Sequence, residues 1–355
     1  MVVYNEFTKK LGDDLVKYLD EWFAKDGIWD NELDKLMAQW TLQAPTVFPK
    51  RPYFSPSATN ACPRMLYEKG IGADRDVTDK APYQGRWQAI GEAIGGVIQT
   101  ELLKAERYYA SKGIKPKFRF LRNKDGQPTF EEFIKTNKRV RVPNKDGEVK
   151  EFYLFGLPDG IMEYTDAEGN THRVGLEIKS KQTTSARTSL YSMREPEESH
   201  VKQCVAYSHM YDVDHYIVLY VNASKKSWVY TDEEYEKTPD IRAFGLQVST
   251  KDKFELFSGL ADIQTIIDEA KEGKEVTPPK LDLDRWTFNN YKTACVASLT
   301  DEELSEIESY ALRVEGSALP AMTKNNVSKA FSEILSLYNK LKGDGEDESD
   351  EDRNQ

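Results

Sequence analysis

Three ionisable side chains stand out for what their spacing allows them to do together. Asp159 follows Pro158 in FYLFGLPDGIMEY, a strand-like run over residues 152–164. Glu177 and Lys179 flank Ile178 in a second run, RVGLEIKSK, over residues 173–181. Side chains alternate across a strand, so Glu177 and Lys179 share a face. Paired as a hairpin, the two runs set a carboxylate beside an ammonium, with a second carboxylate on the adjacent strand. Two such carboxylates suit a hard divalent cation, which takes oxygen ligands. The cation polarises a phosphoryl oxygen and lowers the pKa of a bound water, while the lysine orients that water or offsets developing charge. The chemistry implied is metal-assisted phosphodiester hydrolysis. The competing reading is a solvated hairpin with an ordinary cross-strand ion pair. Against it, Val174, Leu176 and Ile178 fill the opposite face, and Leu154, Leu157 and Ile161 lie close to Asp159. Charges within an apolar sheet are costly unless they have a role.

The elements that must position these residues follow from periodicity. Ile90, Ile94, Val97, Ile98 and Leu102 fall on one face of a helix expected over 90–109. A helix is expected over 198–211, and the apolar run HYIVLYV at 215–221 reads as a strand with which 227–230 pairs. The expected order is helix, strand hairpin, helix, strand. The first 45 residues carry Leu11, Leu15, Tyr18 and Trp22 at helical spacing, and a Pro-rich connector runs from Pro45 to Pro56. A short helix is expected over 57–69, and further helices over 254–272, 301–312 and 325–341. Asp125-Gly126 and Asp146-Gly147 mark hairpin turns.

Composition bounds the setting. The chain has 355 residues and a net charge of −11. Charge is segregated: residues 112–150 hold twelve Lys/Arg against five Asp/Glu, whereas the last 13 residues hold seven acids against one Arg353. Segregation keeps an anionic partner in view despite the acidic total. Phe118, Phe120, Phe130 and Phe133, interleaved with the basic residues, fit a groove following a phosphate backbone, or equally a solvated hairpin. No run of 18 apolar residues argues for a membrane span. The first residues have no signal-peptide pattern, and three scattered cysteines fit reduced thiols, so a cytoplasmic location is expected (host cytoplasm if phage-encoded).

With Pro158-Asp159 and Glu177-Ile178-Lys179 in place, further motifs fall in order. They are Ser57-Ala-Thr-Asn-Ala-Cys-Pro-Arg-Met-Leu-Tyr67, Gly156-Leu-Pro-Asp159 and Gln203-Cys-Val-Ala-Tyr207. The set resembles the PD-(D/E)XK nuclease superfamily, in particular its RecB-like branch of phage exonucleases and CRISPR-associated adaptation nucleases. The matches span residues 57–207. The resemblance implies an α/β fold, a restriction-endonuclease-like core with a central mixed sheet flanked by helices and helical N- and C-terminal additions. It implies that Asp159, Glu177 and the Ile178 backbone carbonyl bind Mg or Mn, and that Lys179 positions the attacking water. Gln203 and Tyr207 would contact the scissile strand or brace the metal site. Where the branch has G-x-x-x-H on its first core helix, this chain has Gly91-Glu-Ala-Ile-Gly95, so Glu92 or Glu101 is the substitute ligand to look for. Arg64, Tyr67, Lys181 and Lys202 are candidate DNA contacts. The four cysteines of an iron–sulfur cluster are not available, and no cluster is expected.

The expected organisation is a helical extension over 1–50 and a nuclease core over 51–290, with its basic insertion near 112–150. A helical region over 291–342 and a disordered acidic tail over 343–355 follow. The expected function is metal-dependent DNA cleavage, exonucleolytic, in recombination, repair or phage DNA processing. DNA is the expected partner, with a recombination or replication protein and self-association as further possibilities and no membrane. A catalytically silent DNA-binding or assembly protein and a structure-specific endonuclease are the alternatives.

Overall fold

The structure, a computed structural model, describes residues 2–44, 49, 52–77 and 81–351, without the side chains of 132 and 343–351. Half of the Pro-rich connector lies outside the described residues. In chain order the elements are α1 (Glu6–Phe23), α2 (Asn31–Gln43), α3 (Pro63–Ile71), α4 (Pro82–Ser111), β1 (Phe118–Phe120), β2 (Thr136–Pro143), β3 (Val149–Gly156), β4 (Gly160–Thr165) and β5 (Thr171–Lys181). They continue with α5 (Glu198–Tyr211), β6 (His215–Asn222), α6 (Asp232–Lys237), β7 (Ile241–Gln247), α7 (Thr250–Lys271), α8 (Lys292–Ala297), α9 (Asp301–Glu315) and α10 (Ala321–Glu351). The chain divides into two compact units. The first comprises Met1–Thr59, Lys80–Arg141 and Phe152–Phe257, the second Asn60–Asp79, Val142–Glu151 and Ser258–Gln355.

The first unit is built on a five-stranded mixed sheet in the order β1-β4-β5-β6-β7. β5 and β6 run parallel and the other pairs antiparallel. The parallel step needs a crossover, and α5 supplies it. The sequence α4, β4, β5, α5, β6 keeps the expected order of helix, strand hairpin, helix and strand, with β1, β2 and β3 added between α4 and β4. Val174, Leu176 and Ile178 from β5 join Ile217 and Leu219 from β6 and Ile98, Leu102 and Leu103 from α4 in one apolar cluster.

Two strand expectations are corrected. The run over 152–164 is two strands in two different sheets: β3 ends at Gly156 and pairs with β2, whereas β4 starts at Gly160. Pro158 has no N–H to give a ladder. Gly156 is pressed so closely that a Cβ there would lie 2.6 Å from Pro56 Cδ. Asp159 therefore sits in a linker rather than in a strand. Residues 227–230 do not pair with β6, whose second neighbour is β7. Thr231 instead caps α6, its side chain accepting from Glu234 N–H.

The N-terminal helices form a wall of the core. Asn5 and Thr8 close a capping box, and Leu11, Leu15, Tyr18, Leu19 and Trp22 are buried along one face of α1. Helix and strand meet backbone to backbone: a Cβ on Gly245 would lie 2.1 Å from Thr8 O, and one on Gly12 2.9 Å from Ala243 O. The basic stretch is also corrected. Phe118, Phe120, Phe130 and Phe133 are core side chains. Several basic groups are paired, Lys117 with Asp14 at 2.8 Å and Lys138 with Asp212 at 2.9 Å.

The second unit has its own core, including Trp286, Tyr291, Cys295, Ile307, Val327 and Ile334. α10 carries helical backbone to Glu351, into the segment expected as a tail, and residues 352–355 lie outside the described ones. Among the described residues no helix is long and apolar enough to cross a membrane.

Candidate functional site

The site forms where β4 has not yet begun. Gly160 pairs with Leu176, so among the described residues β5 beyond Leu176 has β6 on one side and no strand on the other. Asp159 turns into that gap, and its Oδ2 accepts the Ile178 N–H at 2.6 Å. The N–H and C=O of one strand residue point to the same side, so the Ile178 carbonyl opens into the gap as well. Ile178 buries its side chain in the core, and Glu177 and Lys179 project from the opposite face. Glu177 is 1% exposed. Its Oε1 lies 2.5 Å from Lys179 Nζ, while its Oε2 is buried with no hydrogen-bond partner among the described residues.

Helix α5 braces this arrangement from behind. Gln203 Oε1 accepts from Lys179 Nζ at 3.1 Å. One turn on, the Tyr207 hydroxyl donates to the Leu157 carbonyl at 2.5 Å, and a turn further the Tyr211 hydroxyl donates to the Gly156 carbonyl at 2.8 Å. Residues four apart line one helical face, so these three side chains reach β5 and the linker that carries Asp159. From α4, the buried Gln99 amide donates to the Asp159 carbonyl at 2.9 Å and to Glu131 Oε1 at 3.2 Å.

The electrostatics follow from burial and crowding. Loss of water, then the negative charges of Glu177 and Glu131, push the Asp159 pKa well above the usual carboxylate range. Burial also raises Glu177, with Lys179 acting in the other direction. Burial works against the Lys179 ammonium, but Glu177 and Asp159 outweigh it and its pKa rises. Lys179 thus stays protonated at neutral pH and donates rather than abstracts protons. His200, a turn before Gln203, is lowered to about 4 by burial and by Lys179, and is neutral.

The donor set fits a hard cation. A buried carboxylate oxygen without a partner, a second carboxylate repelled by it and a backbone carbonyl are all oxygen ligands, the kind Mg and Mn take. Among the described residues no three His, Cys, Asp or Glu side chains gather closely enough to hold an ion. Mg commonly uses only one or two carboxylates, with water and substrate completing its shell.

The structure brings Asp159, Glu177, Ile178, Lys179, Gln203 and Tyr207 together and leaves the other candidates elsewhere. Glu101 accepts from Trp22 Nε1 at 2.8 Å and from Lys104 Nζ at 2.9 Å, which ties α1 to α4. Glu92 is exposed, two turns before Gln99 and on the same face of α4. Lys181 pairs with Glu197 and lies over the Tyr220 ring at 5.1 Å. Lys202 pairs with Glu198 at 2.7 Å, one turn away on α5. Arg64 and Tyr67 belong to the second unit, and both are buried. The Arg64 guanidinium is consumed by Glu303 Oε1 at 2.8 Å and the Ser298 carbonyl at 2.5 Å. A guanidinium so enclosed serves as a structural tie. Gln99, Glu131 and Tyr211 stand outside the motifs of the sequence. The i, i+4, i+8 spacing of Gln203, Tyr207 and Tyr211 was the available signal for the last.

No protein-family model and no curated protein matches the sequence. Among solved structures the chain is similar to the crystal structure of SSO0001, at 11% identity and a TM-score of 0.37, over 77% of this chain and 98% of that one. It is also similar to LHK-Exo, an alkaline exonuclease from Laribacter hongkongensis, at 12% identity and a TM-score of 0.28, over 62% of this chain and 92% of that one. A phage related exonuclease from Haemophilus somnus 129PT matches at 11% identity and a TM-score of 0.31, over 61% of this chain and 82% of that one. At these scores the likeness carries no argument, and function rests on the site.

Proposed function

We propose that this protein is a divalent-metal-dependent DNA nuclease whose centre is Asp159, Glu177 and Lys179. The observation that carries the reading is the buried, unpartnered Glu177 Oε2 beside a repelled second carboxylate and a protonated lysine. Such a carboxylate is costly unless something cationic completes it. Asp159, Glu177 and the Ile178 carbonyl would hold Mg or Mn, which when bound supplies Lewis-acid polarisation of a phosphoryl oxygen. Lys179 donates toward an attacking or non-bridging oxygen and offsets negative charge as it builds. Gln203 fixes the Lys179 rotamer, and Tyr207 and Tyr211 fix the linker so that Asp159 does not swing out of the gap. Exonucleolytic action on DNA ends, in recombination, repair or phage DNA processing, is the finer reading we favour.

The test is cleavage of end-labelled linear and closed-circular DNA, single- and double-stranded, with Mg, Mn or EDTA. Wild type runs beside Lys179→Ala and Asp159→Ala. The expected outcome is metal-dependent loss of linear DNA with circles spared, and a drop of at least about 100-fold in both variants. Binding of DNA without cleavage in either metal would replace this reading by a silent DNA-binding protein. Cleavage of circles would replace exonuclease by endonuclease.

A further inference from the structure

We propose that Glu131 is a third carboxylate of the Asp159–Glu177 centre, lending its charge to a divalent cation there at the remove of one water. The inference rests on the metal-dependent reading above and adds to it a residue outside every motif in the sequence. Glu131 opens a short 3-10 turn, Glu131–Phe133, in the left-handed backbone region at φ 42°. Among the described residues one other non-glycine shares that sign, Asp212, at the C-cap of α5 where such a conformation is ordinary. At Glu131 the conformation is enforced: its N–H donates to the Pro158 carbonyl at 2.8 Å, one residue before Asp159. Its carboxylate is enforced too. Gln99, 2% exposed, spans Glu131 Oε1 and the Asp159 carbonyl with a single amide nitrogen. Backbone and side chain are thus both tied to the linker that presents Asp159.

That placement is unfavourable for the protein alone. The negative charge of Glu131 adds to that of Glu177 at Asp159, and like charges in a desolvated pocket repel. A cation among them would offset these repulsions with an attraction to each carboxylate. The independent pointer to a cation is Glu177, whose buried Oε2 has no partner among the described residues. Among the described residues the three carboxylates do not gather as one direct ligand set. Glu131 therefore acts through water, as outer groups around a metal do when they hold its water ligands and raise its affinity.

The experiment is calorimetric titration of Mn2+ into the full chain, with wild type, Glu131→Gln, Glu131→Gly and Glu177→Gln, each checked for folding by thermal unfolding. Glu131→Gln keeps a carbonyl for the Gln99 amide and removes only the charge. Glu131→Gly relieves the left-handed backbone and removes the side chain. We expect wild type to bind, Glu177→Gln to lose binding, and both Glu131 variants to weaken it about tenfold. If Glu131→Gln and Glu131→Gly bind within twofold of wild type while Glu177→Gln does not bind, Glu131 is a turn residue only. The proposal is then overturned and the metal-dependent reading stands. If wild type binds no Mn2+, both fall.

Discussion

Asp159 is a desolvated carboxylate in the field of Glu177 and Glu131, and the Ile178 N–H donates to it. Its pKa is raised on folding, so the folded state binds a proton more readily than the unfolded one. The penalty of ionising it is fully present above the folded pKa and fades as pH falls toward about 4, the unfolded value. Asp159→Asn keeps an oxygen for the Ile178 N–H and removes the charge. In EDTA at pH 7 we expect it to stabilise the protein by about 1 kcal/mol while abolishing cleavage, as removal of a functional strain does. The gain should vanish near pH 4, and urea unfolding at several pH values checks this; equal stabilisation at pH 4 and 7 would contradict it. The shared face of Glu177 and Lys179 was legible because alternation on β5 is a local rule, whereas Asp159 was expected on a strand and lies in a linker. Glu131 was not, because its relevance depends on a left-handed backbone and a Gln99 amide 32 residues away.

The elements were legible where one period dominates. α5 runs from Glu198 to Tyr211, as its spacing predicts, and the crossover it makes follows from β5 and β6 lying parallel. β7 was missed because IRAFGLQ alternates weakly, with Gly245 standing where an apolar side chain would mark it. That glycine is required by a contact distant in sequence. The Thr8 carbonyl on α1 would lie 2.1 Å from a Cβ at 245 and belongs to helix backbone, which yields less than a side chain. Gly245→Ala should therefore cost about 3 kcal/mol, the upper end for overpacking, in urea unfolding. A loss below about 0.5 kcal/mol would mean that α1 does not close on β7 as described. The split of 152–164 into β3 and β4 was likewise set by tertiary crowding at Gly156, which no strand propensity records.

At the scale of the molecule, two cores hold the chain, and sequence alone did not divide it this way because the second unit gathers three separated segments. Arg64 illustrates the difficulty: a basic residue in a nuclease-like motif serves as a tie within that second unit. Glu68 beside it is buried and relies on Ser298 and Arg64 against its own desolvation. Arg64→Met leaves that carboxylate without its cation and should cost about 3 kcal/mol, seen as a lower unfolding temperature. The slope of DNA affinity against salt should not change; a slope smaller by about one would mean that Arg64 meets a phosphate after all. The Ile178 N–H has a wider consequence. It bonds to a side-chain carboxylate at the place where a neighbouring strand would offer a carbonyl, so strand alignment and charge placement are fixed by one contact. A one-residue slip of β5 would turn Glu177 and Lys179 to the other face and hand Asp159 a different amide. A misaligned sheet would therefore lose the juxtaposition of Asp159 with Glu177 and Lys179.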